Sequence, residues 1–208
     1  MRTSAADTGR VWFITGASRG LGRAFADAAL AAGDRVAVAA RTAGPLAELA
    51  AAHPGRVLAL PLDVTDRDAV FAAVAAAVGH FGRLDVVVNN AGTLTMGMVE
   101  EFTEAEARAQ LDVNFFGALW VTQAVLPVLR GQGAGHLVQI SSIGALAGFA
   151  STGLYSASKC ALEGMSEAAA MEVAGFGVKV SIVQPGPLMG SYASTPQPEP
   201  CVAEDAKV

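Results

Sequence analysis

V11-W-F-I-T-G-A-S-R-G-L-G22 decides how this chain folds. Val, Trp, Phe, Ile and Thr in succession read as a short buried strand. The strand runs straight into a turn with glycines at 16, 20 and 22, and an Ala-rich periodic stretch follows. A helix that starts there presents free N–H groups and the positive end of its dipole, a site for a phosphate. The glycines permit a tight turn and the close approach of a pyrophosphate. A tight turn without a ligand would use the same residues, and the spacing G-x-x-x-G-x-G is not the G-x-G-x-x-G of other dinucleotide folds. Position favours the nucleotide, because this is the first strand–helix junction of an alternating chain.

That alternation continues outward. Strands are expected near 10–15, 34–40, 56–61, 84–88, 136–141 and 178–184. Helices are expected near 20–32, 45–52, 66–80, 101–131 (two, broken near Val113) and 153–175. Strands apolar throughout, separated by helices, imply a parallel sheet covered on both faces, an α/β doubly wound fold. The 208 residues suffice for one core, and hydrophobic residues make up 52% of them. A net charge of −5 gives no basic footprint for nucleic acid or an anionic membrane. No uninterrupted apolar run of about 18 residues is present. The N-terminus has no signal-peptide pattern, and two cysteines make no disulfide framework, so the expected location is cytoplasmic. Cys160 reads as a small core residue. Three scattered histidines argue against a metal site.

The second strand ends at Arg41, where an acidic residue would bind both hydroxyls of an adenosine ribose. Arg41, Thr42 and Arg19 suit a 2′-phosphate instead, and so NADP(H) over NAD(H); a solvated surface arginine is the plainer alternative. Asp63 is free to accept from adenine if Thr65, with Asp68 three residues on, caps the next helix. N89-N-A-G92 marks a close-approach turn at a strand end, where ligands of open α/β sheets sit. Asn114 falls at a helix break and its amide could hold a water. Pro127 should bend or fray the last turn of that stretch. Ser142 ends the fifth strand and can donate to a substrate carbonyl; no nucleophile–His–acid set accompanies it.

Tyr155 and Lys159 stand four apart in a helical stretch, on one face. A free phenol has a pKa of about 10, and a nearby ammonium favours the phenolate and makes it a usable general acid or base. A helix-surface contact would look the same in isolation.

Taken together, T15-G-A-S-R-G-L-G22, N89-N-A-G92, Asn114, Ser142, Tyr155-x-x-x-Lys159 and P185-G186 resemble the short-chain dehydrogenase/reductase family over about residues 9–189. The resemblance implies a Rossmann-type sheet in the order 3-2-1-4-5-6 and a nicotinamide cofactor. It makes Tyr155 the acid/base group of a carbonyl–alcohol interconversion and Lys159 its pKa-lowering partner. Ser142 would orient the substrate with Tyr155, and Asn114 would anchor a water in the proton relay. The cofactor would be lined by Gly16, Ser18, Arg19, Gly20, Leu21 and Gly22 in the turn, and by Arg41, Asp63 and Val64. Asn90, Ala91, Gly92, Tyr155, Lys159, Pro185 and Gly186 would complete the lining. It also implies a homodimer through the Trp120 helix and the helix carrying Ala157, Ala161, Gly164 and Ala168. The small-molecule substrate would be apolar, judged by Leu94, Met96, Ile143, Phe149, Leu188 and Met189.

The C-terminal part departs from the pattern. A single domain is expected over 1–189, with an irregular Pro-rich tail over 190–208. Ser191 or Thr195 would have to replace the threonine that usually follows the proline-glycine turn. A seventh strand and a substrate-capping lobe are expected to be missing, so a weakly active or purely nucleotide-binding protein is the alternative.

Overall fold

The computed structural model describes residues 9–186. Leu188, Met189, Ser191, Thr195 and the tail expected over 190–208 lie outside them. Six strands alternate with six helices: β1 Val11–Thr15, α1 Gly20–Ala31, β2 Arg35–Ala40, α2 Ala43–Ala52, β3 Val57–Pro61, α3 Arg67–Phe81, β4 Val86–Asn89, α4 Glu104–Leu111, α5 Gly117–Gln132, β5 Gly135–Ile140, α6 Gly153–Val173 and β6 Val178–Val183. The strands form one parallel sheet in the order β3-β2-β1-β4-β5-β6. The expected order and fold class are both found.

Strand alternation sorts the core into two layers. Phe13, Ala37 and Val87 point to the face covered by Val70 and Val74 of α3 and Val121 and Val125 of α5. Ile14, Val36, Val38 and Val88 point to the other face, under Ala26 and Leu30 of α1 and Leu46 of α2. Both layers are apolar because both faces are covered, which is why these strands carry no polar alternation. The chain leaves β3, crosses the sheet through α3 and returns as β4 on the far side of β1. The carboxyl ends of β1 and β4 therefore diverge into a crevice at the switch point.

The break expected near Val113 is a π-helical turn over Asp112–Phe116. Pro127 does not end its helix; α5 continues to Gln132 and stops at left-handed Gly133. By length and mean hydropathy (1.3), the continuous helical run Glu104–Gln132 could cross a membrane. It packs on the sheet here, with Val121, Val125 and Leu129 fully buried. The cap of α3 is Asp66, which accepts from Ala69 N at 3.0 Å, and not Thr65. Thr65 donates both its N–H and its hydroxyl to Asp63 Oδ1, at 3.0 and 2.8 Å. The Asx turn at Asp63 won because its oxygen reaches both Thr65 donors at once. Cys160 is exposed rather than in the core, because it lies opposite the α6 face that packs on the sheet.

Candidate functional site

A cleft of about 1180 Å³ opens at the switch point. Gly16, Ser18, Arg19, Gly20 and Leu21 line one wall, Arg41, Asp63 and Val64 the next, and Asn90, Ala91 and Gly92 the third. α1 begins with no side-chain cap and no acidic residue in its first turn. Its free N–H groups and dipole end thus face the cleft, a fit for phosphate.

Two of the turn's glycines are demanded by the protein itself. A β-carbon at Gly22 would stand 2.5 Å from both Asn90 Nδ2 and Gly16 O, and one at Gly16, whose φ is +65°, would stand 2.9 Å from Ala91 Cα. The Asn90 amide fills that space, donating to Thr15 O at 3.0 Å and Gly16 O at 3.2 Å. Thr15 Oγ1 in turn accepts the N–H groups of Asn90 and Ala91, both at 3.0 Å. Asn90 therefore clamps the turn to the end of β4.

Gly22, Tyr155, Lys159, Pro185 and Gly186, expected to line the cofactor, are not among the residues lining this cleft. Lys159 is only 5% exposed. Its Nζ donates to Ile140 O at 2.8 Å and lies 5.8 Å from the Tyr155 ring centroid. Burial pushes its pKa down to about 8, opposed by the charge of Glu163 one turn away. A β-carbon at Gly92 would stand 3.6 Å from Lys159 Nζ and 3.4 Å from Asn114 Oδ1, so the buried ammonium adjoins the cleft wall. Ser142 caps the short 3₁₀ turn Ile143–Ala145, accepting from Gly144 N at 3.1 Å. At Gly144 a β-carbon would meet Tyr155 Cε1 at 3.3 Å and Ser142 Oγ at 3.5 Å, so ring and hydroxyl flank one point. Pro185 O accepts from Ile143 N at 3.1 Å, bringing the Pro185–Gly186 turn to the same edge.

Asn114 joins this end through protein contacts. Its Oδ1 accepts from Thr93 N at 2.8 Å. Its amide donates to Thr93 O at 2.9 Å and to Ser158 Oγ at 3.0 Å. Both amide protons are therefore committed, and the side chain braces the loop after β4. Gln110, one turn earlier and fully buried, does the same: it donates to Thr93 O and accepts from Thr95 N, both at 2.8 Å. Gln110 and Ser158 are specified by none of the motifs in the sequence. A polar residue on the buried side of an amphipathic stretch, four before Asn114, was the available signal for Gln110.

Comparison with known proteins agrees with this geometry. A family model described as short chain dehydrogenase matches residues 10–198. The chain belongs to the short-chain dehydrogenase family. One similar family protein is the oxidoreductase BOA17 of Botryotinia fuckeliana, 41% identical over 94% of this chain and 72% of its own length. Another is the 3-ketodihydrosphingosine reductase of Bacteroides thetaiotaomicron, 41% identical over 85% of this chain and 63% of its own. A crystal structure of a short-chain dehydrogenase from Streptomyces avermitilis superposes with a TM-score of 0.84 at 47% identity, over 87% of this chain and 66% of that one. One from Burkholderia phymatum, in complex with NAD, gives 0.82 at 30% identity, over 88% and 67%. The chain thus spans roughly two thirds of the length of several relatives.

Proposed function

We propose that this short-chain dehydrogenase is an NADP(H)-dependent oxidoreductase that interconverts a carbonyl and an alcohol, with Tyr155 as general acid/base. The observation that carries the reading is the buried Lys159 ammonium, 5.8 Å from the centroid of the Tyr155 ring and behind the Gly92 wall of a cleft that starts at an uncapped helix N-terminus. The nicotinamide, when bound, supplies or accepts the hydride.

The chain's own residues do the rest. Ser142 donates to the substrate oxygen and orients it beside the phenol. In the reducing direction Tyr155 protonates that oxygen, and the Lys159 cation favours the phenolate left behind. Asn114 sits in the π turn, a distortion found often at functional sites, and its side chain is committed to Thr93 and Ser158. At the other end, Gly16–Gly22 and the start of α1 would hold the pyrophosphate. Arg41, with Arg19 across the cleft, would take the 2′-phosphate. Asp63 keeps an oxygen for the adenine amino group; its carboxyl titrates below the usual range, chiefly because it accepts the Thr65 N–H, with Arg41 nearby contributing.

A homodimer fits the helix surfaces. Ala157, Gly164 and Ala168 of α6 are exposed, so this small-residue stripe is not packed on the chain's own sheet. Phe116 stacks on Trp120 at 5.8 Å and is itself exposed. The experiment is NADPH titration by fluorescence, followed by NADPH oxidation over a panel of apolar aromatic and aliphatic ketones. Binding with turnover is expected. Binding without turnover of any carbonyl would leave only a nucleotide-binding protein, and no binding would end the reading.

A further inference from the structure

The carboxylate of Glu163 ties three segments together at the carboxyl edge of the sheet. It lies on α6, one turn beyond Lys159. Ser141 Oγ donates to its Oε1 at 2.5 Å. Gln184 Nε2 donates to Oε1 at 2.8 Å and Oε2 at 3.0 Å. Ser141, itself buried, follows β5 and immediately precedes Ser142. Gln184 follows β6 and immediately precedes Pro185–Gly186. The main chain runs alongside: Ser141 N donates to Val183 O at 2.7 Å and Ile143 N to Pro185 O at 3.1 Å. Two successive residues at the end of β5 are thus gripped from α6, Ile140 through Lys159 and Ser141 through Glu163.

A carboxylate suits this place. It accepts a hydroxyl and an amide at once and has no proton of its own that needs a partner.

We propose that Glu163 is a positioning residue: acting through Ser141 and Gln184, it fixes Ser142 and the Pro185–Gly186 turn relative to Tyr155 and Lys159. The proposal rests on the oxidoreductase reading above. Glu163 touches neither substrate nor cofactor in this role. Its removal releases the strand ends, and a misplacement of about 1 Å at a reacting group costs on the order of 10²-fold in rate.

Two measurements on the full chain test it, with Glu163→Ala, Glu163→Gln and Ser141→Ala beside the wild type. The first is amide hydrogen exchange, which needs no substrate. Glu163→Ala should speed exchange at Ser141 and Ile143 by about tenfold or more while Phe13 and Ile14 of β1 keep their protection. The second is NADPH oxidation with the carbonyl panel. Glu163→Ala should lower kcat by roughly 10- to 100-fold and move KM for NADPH by less than about threefold. Glu163→Gln, which keeps an acceptor for Ser141, should recover most of that rate, and Ser141→Ala should fall between. Wild-type exchange at Ser141 and Ile143 in Glu163→Ala overturns the proposal, as does equal loss of protection in β1, which marks general unfolding. A Glu163→Gln variant as slow as Glu163→Ala overturns it too, because the charge and not the tie would then matter. If no protein, wild type included, oxidises NADPH, the functional reading fails while the exchange result still decides whether Glu163 holds these segments.

Discussion

Around Gly16–Gly22 the cleft is shaped by main chain, whereas Tyr155 and Lys159, beside it, are set among side chains reaching between elements. The glycine-turn end is open, with Arg19 and Arg41 exposed. It needs little more than a turn, a helix start and the Asn90 clamp. The opposite end buries an ammonium and several amides and hydroxyls, each needing a partner. Those partners come from the loop after β4, the π turn, the end of β5 and α6. Main-chain recognition is local and reads a ligand by shape and charge. Proton transfer needs groups placed to fractions of an ångström, and long-range packing supplies that.

Four experiments put this contrast to the test. Tyr155→Phe carries the largest expected effect: turnover should fall by at least about 10²- to 10³-fold while NADPH affinity, measured by fluorescence, stays within a few-fold. A variant that keeps most of its rate would remove the proton donor from the buried end.

Lys159 gives the next effect, through pH. Its pKa falls from 10.5 unfolded to about 8 folded, so the cost of burying the cation is present in full below pH 8. That cost is relieved as pH rises, because between pH 8 and 10.5 the unfolded chain holds the proton and the folded one does not. The cofactor-free protein should gain up to roughly 3 kcal/mol over that window relative to Lys159→Met, read from urea unfolding at several pH values. Parallel pH dependence in the two proteins would mean that the ammonium is not desolvated.

Gly22→Ala tests the main-chain end. Its β-carbon has no room beside Gly16 O and Asn90 Nδ2, so a loss of about 1–3 kcal/mol is expected in chemical denaturation, together with weaker NADPH binding. Unchanged stability would show that the turn can give. Arg41→Ala is the smallest: NADPH should bind about tenfold more weakly and NADH should hardly change. Equal losses for both would take Arg41 away from the 2′-phosphate.

Most of the fold could be read from composition and period. All six expected strands are present, because continuous apolar runs between helices leave few alternatives to a covered parallel sheet. The errors were local and came from competing donors and acceptors. Thr65 looked like a cap, yet the nearer geometry gave the cap to Asp66 and turned Thr65 back on Asp63. Cys160 looked like core, yet the helix phase set by Ser156, Lys159 and Leu162 turned it outward. Gln110 and Glu163 carried no motif, since what matters about them is the distance to Thr93, Ser141 and Gln184.

Sequence alone determined the alternating architecture, the glycine turn on β1 and the helical spacing of Tyr155 and Lys159, because each rests on neighbours within a few residues. Only the tertiary structure decided that Lys159 is buried, that Asn114 and Gln110 hold the loop after β4, and that Glu163 joins β5 to β6. Those facts depend on contacts 15 to 44 residues apart along the chain, which no local pattern encodes. Desolvation, the force that moves the Lys159 pKa, exists only once the layers have closed over it.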